Sequence, residues 1–448
     1  MSEPGSRQRN ARLSLVADQP LEALDAALRS LEPQLIATLR DLVGTPSQNI
    51  PPNGEEAACQ RKVAAALREL AWEPDVYDLT EVASLSAHSE FRPGRSYVNR
   101  PNVNARKKGS GSGRSLILSG HIDTVPIDTP VEWTRSPWGE DLEESRLYGR
   151  GAWDMKAGVA MNLTVLRALH LAGIRLKGDL TFETVVDEEF GGANGTLAAR
   201  VRGYLADAAV IGESTGFCIC PAQRGGRTAH VTLFGPGGIL GEQQVRTRVV
   251  DQLQHLLSRV EAFQERRKRR VAVNPYFASS SEPFAVWVTN IATGKWGWVQ
   301  PLTVPERCQV EIYWQAMPEE SQEDVEREFH EWLRDTVAAR PELFPAAPSV
   351  QFPMRWLPGC SIPLSNPLVV EFSAVAEACG AQTRVEGLDA PSDMYIFQKC
   401  FQIPALMWGP EGGGAHQADE YVDIPSLVES TRVLAHFVCR WCGVENAR

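Results

Sequence analysis

The stretch Leu116-Ile-Leu-Ser-Gly-His-Ile-Asp-Thr-Val-Pro126 decides how the rest of the chain is read. Its apolar opening reads as a buried strand, and at the exit an imidazole and a carboxylate stand two residues apart. In open α/β sheets, ligands bind in the crevice outside the carboxyl ends of the strands, so chemistry is expected at that edge. The question is whether other strands bring matching groups to it.

Three more strand exits do so. Leu180-Thr-Phe-Glu-Thr-Val-Val186 ends in Asp187-Glu-Glu-Phe-Gly-Gly192, and Ala208-Ala-Val-Ile211 ends in Gly212-Glu-Ser-Thr215. Much later, Pro404-Ala-Leu-Met-Trp408 runs into Gly409-Pro-Glu-Gly-Gly-Gly-Ala-His416. The exits thus offer His121 with Asp123, Glu188 with Glu189, Glu213, and His416. Asp154 comes from the glycine-rich turn Gly149-Arg-Gly-Ala-Trp-Asp-Met-Lys-Ala-Gly158, just before a helix with apolar positions Val159, Leu163, Leu166 and Leu169.

Outside this frame, 448 residues suit two domains. Helices are expected at about 21–43 and 55–70, and Lys107-Lys-Gly-Ser-Gly-Ser-Gly113 reads as a hairpin turn between two strands. Between residues 222 and 357 the pattern becomes strand 228–234, helix 243–265, strand 284–291, strand 309–314, helix 322–337 and strand 349–356. That is the split βαβ order, expected as a domain inserted at 222–357 into a main domain made of 1–221 and 358–448.

Histidines and carboxylates gathered at one sheet edge suit a divalent cation of the zinc, manganese or cobalt kind. A pair of ions about 3.5–4 Å apart needs a shared carboxylate, and Asp154 on its rigid turn is the natural bridge. Adjacent side chains at an extended strand end diverge, so one of Glu188 and Glu189 can bind metal while the other stays free as general base. Asp123 is placed to hold the His121 imidazole and fix its tautomer.

These motifs, in this order, resemble the metallopeptidase family of aminoacylase, acetylornithine deacetylase, succinyl-diaminopimelate desuccinylase and glutamate carboxypeptidase, over nearly the whole chain. The resemblance implies a mixed-sheet α/β catalytic domain with an inserted ferredoxin-like α+β lid and dimerisation domain. It implies one metal on His121, Asp154 and Glu213, a second on Asp154, Glu189 and His416, Glu188 as catalytic base, and Asp123 as support for His121. Zinc or manganese is the expected cofactor, as one or two ions per subunit of a homodimer or higher homo-oligomer. The implied reaction is hydrolysis of a carbon–nitrogen bond in a small molecule, foremost the amide of an N-acyl amino acid or peptide-like substrate.

The lid departs from the family pattern. Gly238-Ile239 stands where the family has Gly-His, a histidine that stabilises the oxyanion across the dimer; Leu302-Thr-Val-Pro305 lacks the usual asparagine; and Gln315 stands where a carboxylate-binding arginine is common. His230 is a candidate replacement donor, although its place on a strand reads first as structural. An oxyanion donor is worth on the order of 10²–10³ in rate, so its loss raises a second reaction: deamination of an aminoaromatic acid, as in the nitroanthranilate aminohydrolase branch of the family. Trp296, Trp298 and Trp314 are candidates for a ring-binding wall.

A net charge of −11 argues against a nucleic-acid surface. The basic run Arg266-Arg-Lys-Arg-Arg270 reads as a solvated helix end. No apolar stretch approaches the ~20 residues of a membrane span. Residues 1–20 show no apolar signal core, so a cytoplasmic location with reduced thiols is expected, Cys218, Cys220, Cys439 and Cys442 among them.

Overall fold

The computed structural model describes residues 18–127, 132–139, 141–191, 194–239, 248–294 and 303–445. Its main sheet has four parallel strands at the centre: Ala405–Met407, Ala208–Ile211, Leu116–Ser119 and Leu180–Thr184, neighbours in that order. Every residue of these strands is buried, as strands covered on both faces require. Antiparallel strands flank them, Ile219–Gln223 and Cys360–Ser361 on one side, Pro101–Lys107 and Asp75–Asp78 on the other. The shared carboxyl edge of the parallel strands is therefore the edge from which all four predicted exits leave.

The expected hairpin at 107–113 does not form. Pro101–Lys107 and Leu116–Ser119 are separated by Leu180–Thr184, which pairs antiparallel with the first and parallel with the second. The glycine-rich segment instead crosses that strand's end. A buried central strand gains more from two partners than two neighbours in sequence gain from pairing with each other.

The helix Lys156–Leu171 is buried on every side as far as Leu169, and packs against Asp18–Val43 and Ile424–Cys442. Gly158 lies against the backbone leaving Ala208–Ile211, where an added Cβ would fall 1.7 Å from the Gly212 carbonyl oxygen. Gly158→Ala is therefore expected to cost about 3 kcal/mol, the upper end for overpacking, seen as a lower urea midpoint with an unchanged m-value.

The insert forms its own sheet in the order Val286–Thr293, Arg307–Ala316, Gly225–Phe234, Ser349–Gln351, all antiparallel, as in a ferredoxin-like unit. Its chain leaves the main sheet along Ile219–Gln223 and returns along Cys360–Ser361, and those strands pair with each other, Gln223 opposite Cys360. The helix expected at 243–265 is described as two, Val249–Leu257 and Val260–Arg270, broken around Ser258 and Arg259; residues 240–247 lie outside the described residues. The last strand stops at Gln351, short of 356, because Pro353 has no N–H for the ladder.

Trp314 is no ring-binding wall. It is fully buried in the lid core, stacked on Phe329 at 4.6 Å between centroids. Trp296 and Trp298 lie outside the described residues. The basic run ends its helix as expected, but it is not wholly solvated: Arg267 is buried between Glu320 and Glu328, each 2.8 Å away. Cys218, Cys220, Cys439 and Cys442 are buried free thiols. Among the described residues, no helix is long and apolar enough to cross a membrane.

Candidate metal centre

Asp154 faces a histidine with each of its oxygens. Oδ1 lies 3.3 Å from His121 Nε2 and Oδ2 lies 3.4 Å from His416 Nε2. Around this carboxylate, His121 Nε2 is also 3.7 Å from Glu213 Oε1 and 4.0 Å from Glu188 Oε2, while His416 Nε2 is 2.8 Å from Glu189 Oε2. Residues from four strand exits and one turn thus converge. Donor atoms of His121, Asp154 and Glu189 all lie within 4.8 Å of one another, a spacing compatible with a metal ion.

Two buried carboxylates brace this face from behind. Asp123 accepts from the main-chain N–H groups of Glu188 (3.3 Å) and Glu189 (3.1 Å) and from Asn49 Nδ2 (2.9 Å). Its main-chain oxygen, at 2.9 Å, is closer to His121 Nδ1 than its carboxylate, at 3.7 Å. The residue expected to support His121 thus does so mainly through its backbone, and its side chain orients the Glu188–Glu189 loop.

Sequence reasoning missed the second brace, Glu420. It accepts from the N–H groups of Gly151 (3.0 Å), Trp153 (2.9 Å) and Asp154 (3.0 Å), and pairs with the buried Arg150 at 2.8 Å. A small sheet brings it there: Tyr421–Asp423 pairs with Arg146–Tyr148 on one side and Gly412–Gly413 on the other, tying the His416 loop to the Asp154 turn. The available signal was an acidic residue four positions after His416. Glu420→Ala leaves three donors and Arg150 without their acceptor. The expected cost is about 3–5 kcal/mol in urea unfolding, with metal affinity down by about 10–100-fold in a titration.

Asp393 was also missed. It is buried, accepts from the Thr196 hydroxyl, and lines the same cavity as Glu188.

The electrostatics report an excess of negative charge. Burial, then repulsion from Asp154, push Glu213 up to about 8 against the pull of His121, and Glu189 up to about 7 against His416. Burial with Glu213 and Asp393 nearby holds Glu188 well above the usual carboxylate range. Hydrogen bonds to Asp154 and Glu189 lift His416 to about 11, and despite burial His121 is also raised by Asp154 and its carboxylate neighbours. Nitrogen and oxygen donors gathered around surplus negative charge fit a divalent cation. The site opens into a cavity of about 420 Å³, whose walls include Trp153, Met354, Leu357, Leu388 and Tyr395.

Among the described residues lining this cavity, neither His230 nor Gln315 appears. His230 is paired with Glu311 at 2.7 Å on the lid sheet. Gln315 is buried, accepting from Arg224 Nη1 at 3.0 Å and donating to the Asp389 carbonyl. Gly238–Ile239 forms a short strand with Thr303–Val304.

Across this frame, the model of peptidase family M20/M25/M40 matches residues 117–440. The chain belongs to that family. This M20/M25/M40 member is 28% identical over 448 residues to the N-formyl-4-amino-5-aminomethyl-2-methylpyrimidine deformylase of Halalkalibacterium halodurans, covering 95% of this chain and 99% of that one. To the acetylornithine deacetylase of Proteus mirabilis it is 26% identical over 347 residues, covering 76% and 82% respectively. Human carnosine dipeptidase 1 shares the fold, with a TM-score of 0.68 over 94% of this chain and 99% of that one at 15% identity. The protein is a hydrolase acting on carbon–nitrogen bonds.

Proposed function

We propose that the chain is a metal-dependent amidase that removes a short acyl group, formyl foremost, from an amine of a small, ring-bearing molecule. The observation that carries this is Asp154, with one oxygen toward His121 and the other toward His416, beside the buried Glu188. His121, Asp154 and Glu213 would hold one zinc or manganese ion, and Asp154, Glu189 and His416 a second. Such ions, when bound, polarise a carbonyl and acidify water.

Glu188 takes the proton of the attacking water and passes it to the leaving amine. Its carboxylate lines the cavity with Oε2 4.0 Å from His121 Nε2, beside the donors that would hold the ions, and so is placed for both transfers. Asp123 keeps the Glu188 backbone in register with His121. Trp153, Leu357 and Tyr395 line the cavity that would take the ring, and the formylpyrimidine relative, matched over nearly its whole length, supports that substrate class. Deamination of an aminoaromatic acid loses Trp314, one of the residues that favoured it.

The division at 222 and 357 belongs to this reading, and the Gly226–Leu357 bridge next to those limits supports it. So does a homodimer. Among the described residues, Val286–Thr293 is an edge strand of the lid sheet, with Trp287 44% and Ile291 43% exposed, where a second copy would pair.

The test offers N-formyl and N-acetyl aminomethylpyrimidines and anilines, and N-acyl amino acids, to protein loaded with Zn²⁺ or Mn²⁺. Release of formate or acetate with the free amine supports the proposal. Ammonia release instead favours the deaminase, and no turnover by protein shown to hold metal sinks both.

A further inference from the structure

Asp154, Glu188, Glu189, Glu213 and Asp393 all line the cavity of about 420 Å³ beside the candidate metal centre. Asp154, Glu189 and Glu213 belong to the donor sets and Glu188 is the proposed base, which leaves Asp393 without a task. Among the described residues of this wall there is no lysine and no arginine.

Asp393 is 5% exposed and firmly held. Its Oδ2 accepts from the hydroxyl of Thr196, on the helix Asn194–Val201, and its main-chain oxygen accepts from the Ile396 N–H at 2.9 Å. The preceding residue, Ser392, is tied to the main sheet. Its hydroxyl donates to Gln223 Oε1 at 2.5 Å, and its carbonyl accepts from Gln223 Nε2 at 2.8 Å.

The other carboxylate oxygen, Oδ1, has no hydrogen-bond donor among the described residues. Arg200 attracts the group through space, but its own side-chain hydrogen bond goes to Glu183. Taking a carboxylate this far out of water is costly unless donors replace the water, and one hydroxyl replaces only part of that shell. The missing donor is therefore water or a bound molecule.

The surroundings select the kind of molecule. Leu357, Leu388, Pro391 and Tyr395 share the wall with Asp393, and poorly hydrated walls strengthen the attraction between a carboxylate and a cation. An anionic tail would instead meet Glu188 and Asp393 with no cationic side chain of the described wall outside the donor sets to offset them.

We propose that Asp393 is a specificity residue whose Oδ1 takes a cationic N–H group on the substrate's ring, of the amidine or amino-substituted aza-ring kind, while the amide is cut beside Glu188. The subsite rests on the amidase reading above and narrows it to substrates with a basic ring.

Titration calorimetry of the metal-loaded protein with benzamidine and benzamide tests it, because the two are close in shape and only the first is a cation. Wild type is expected to bind benzamidine at least about tenfold more tightly, the size of one charge-assisted hydrogen bond. In Asp393→Asn the amide oxygen can keep the Thr196 bond while N–H replaces the open acceptor, so the preference should shrink to within about threefold. In Glu188→Gln it should persist, which separates Asp393 from the other carboxylate outside the donor sets. A crystal structure of the wild-type complex should place an amidine nitrogen within about 3.2 Å of Asp393 Oδ1, a readout that needs no variant to fold. No preference in wild type, a preference that survives Asp393→Asn or collapses as fully in Glu188→Gln, or an amidine seated elsewhere overturns the proposal. In parallel, N-formyl aminomethylbenzamidines should exceed the matching benzamides at least about tenfold in kcat/KM, with the ratio approaching one in Asp393→Asn. If neither series is cleaved the amidase reading falls, and the titration still decides the subsite.

Discussion

Glu188→Gln is expected to lower kcat by about 10³-fold, within the range for loss of a general acid–base group, while metal content and urea midpoint stay at wild-type values. The amide nearly matches the carboxylate in volume and keeps the N–H that Asp123 accepts, so the loop geometry survives. What is lost is proton affinity at Oε2, the atom 4.0 Å from His121 Nε2. Because the burial that raises the proton affinity of Glu188 also costs stability when it ionises, removing that charge should not destabilise the fold. Full turnover in the variant would falsify Glu188 as the base. A parallel loss of metal would instead make it a ligand.

Asp154→Ala is expected to be as severe for a different reason. Both oxygens of Asp154 are engaged, one toward each histidine, so its removal breaks the two donor sets together rather than one of them. Elemental analysis should find less than one tenth of the wild-type metal. Thermal stability of the metal-free variant should fall below that of metal-free wild type, because Asp154 is held charged by its hydrogen bonds to His121 and His416 and both histidines lose that partner. The stabilisation conferred by ion binding should vanish, a difference of about 2.7 kcal/mol where free metal is one hundred times its Kd. A variant that still binds one ion tightly would show that the two donor sets are independent.

The candidate metal face was legible because its residues follow apolar strands at short offsets. A short buried strand fixes where the chain exits, and parallel packing puts those ends on one edge, so His121, Glu188, Glu189 and Glu213 are brought together by the strands before them. Glu420 was not legible, because it acts on main-chain N–H groups through a sheet whose strands are two or three residues long, too short for any period to show. The failed hairpin at 107–113 has a related cause: sequence adjacency says nothing of a third strand lying between. Trp314 was readable in principle. Cys308, Val310, Ile312 and Trp314 alternate along their strand and share the buried face, which assigns the ring to the core.

The pairing of Gln223 with Cys360 sets what this architecture can exchange. Because the chain departs and returns through adjacent strands, the main sheet closes at that point whatever the intervening segment contains. Lengthening such an excursion adds little closure entropy, roughly 0.6 kcal/mol per doubling. The insert can therefore be exchanged as one contiguous block of sequence, a cassette, while the candidate site residues of the main sheet are inherited intact.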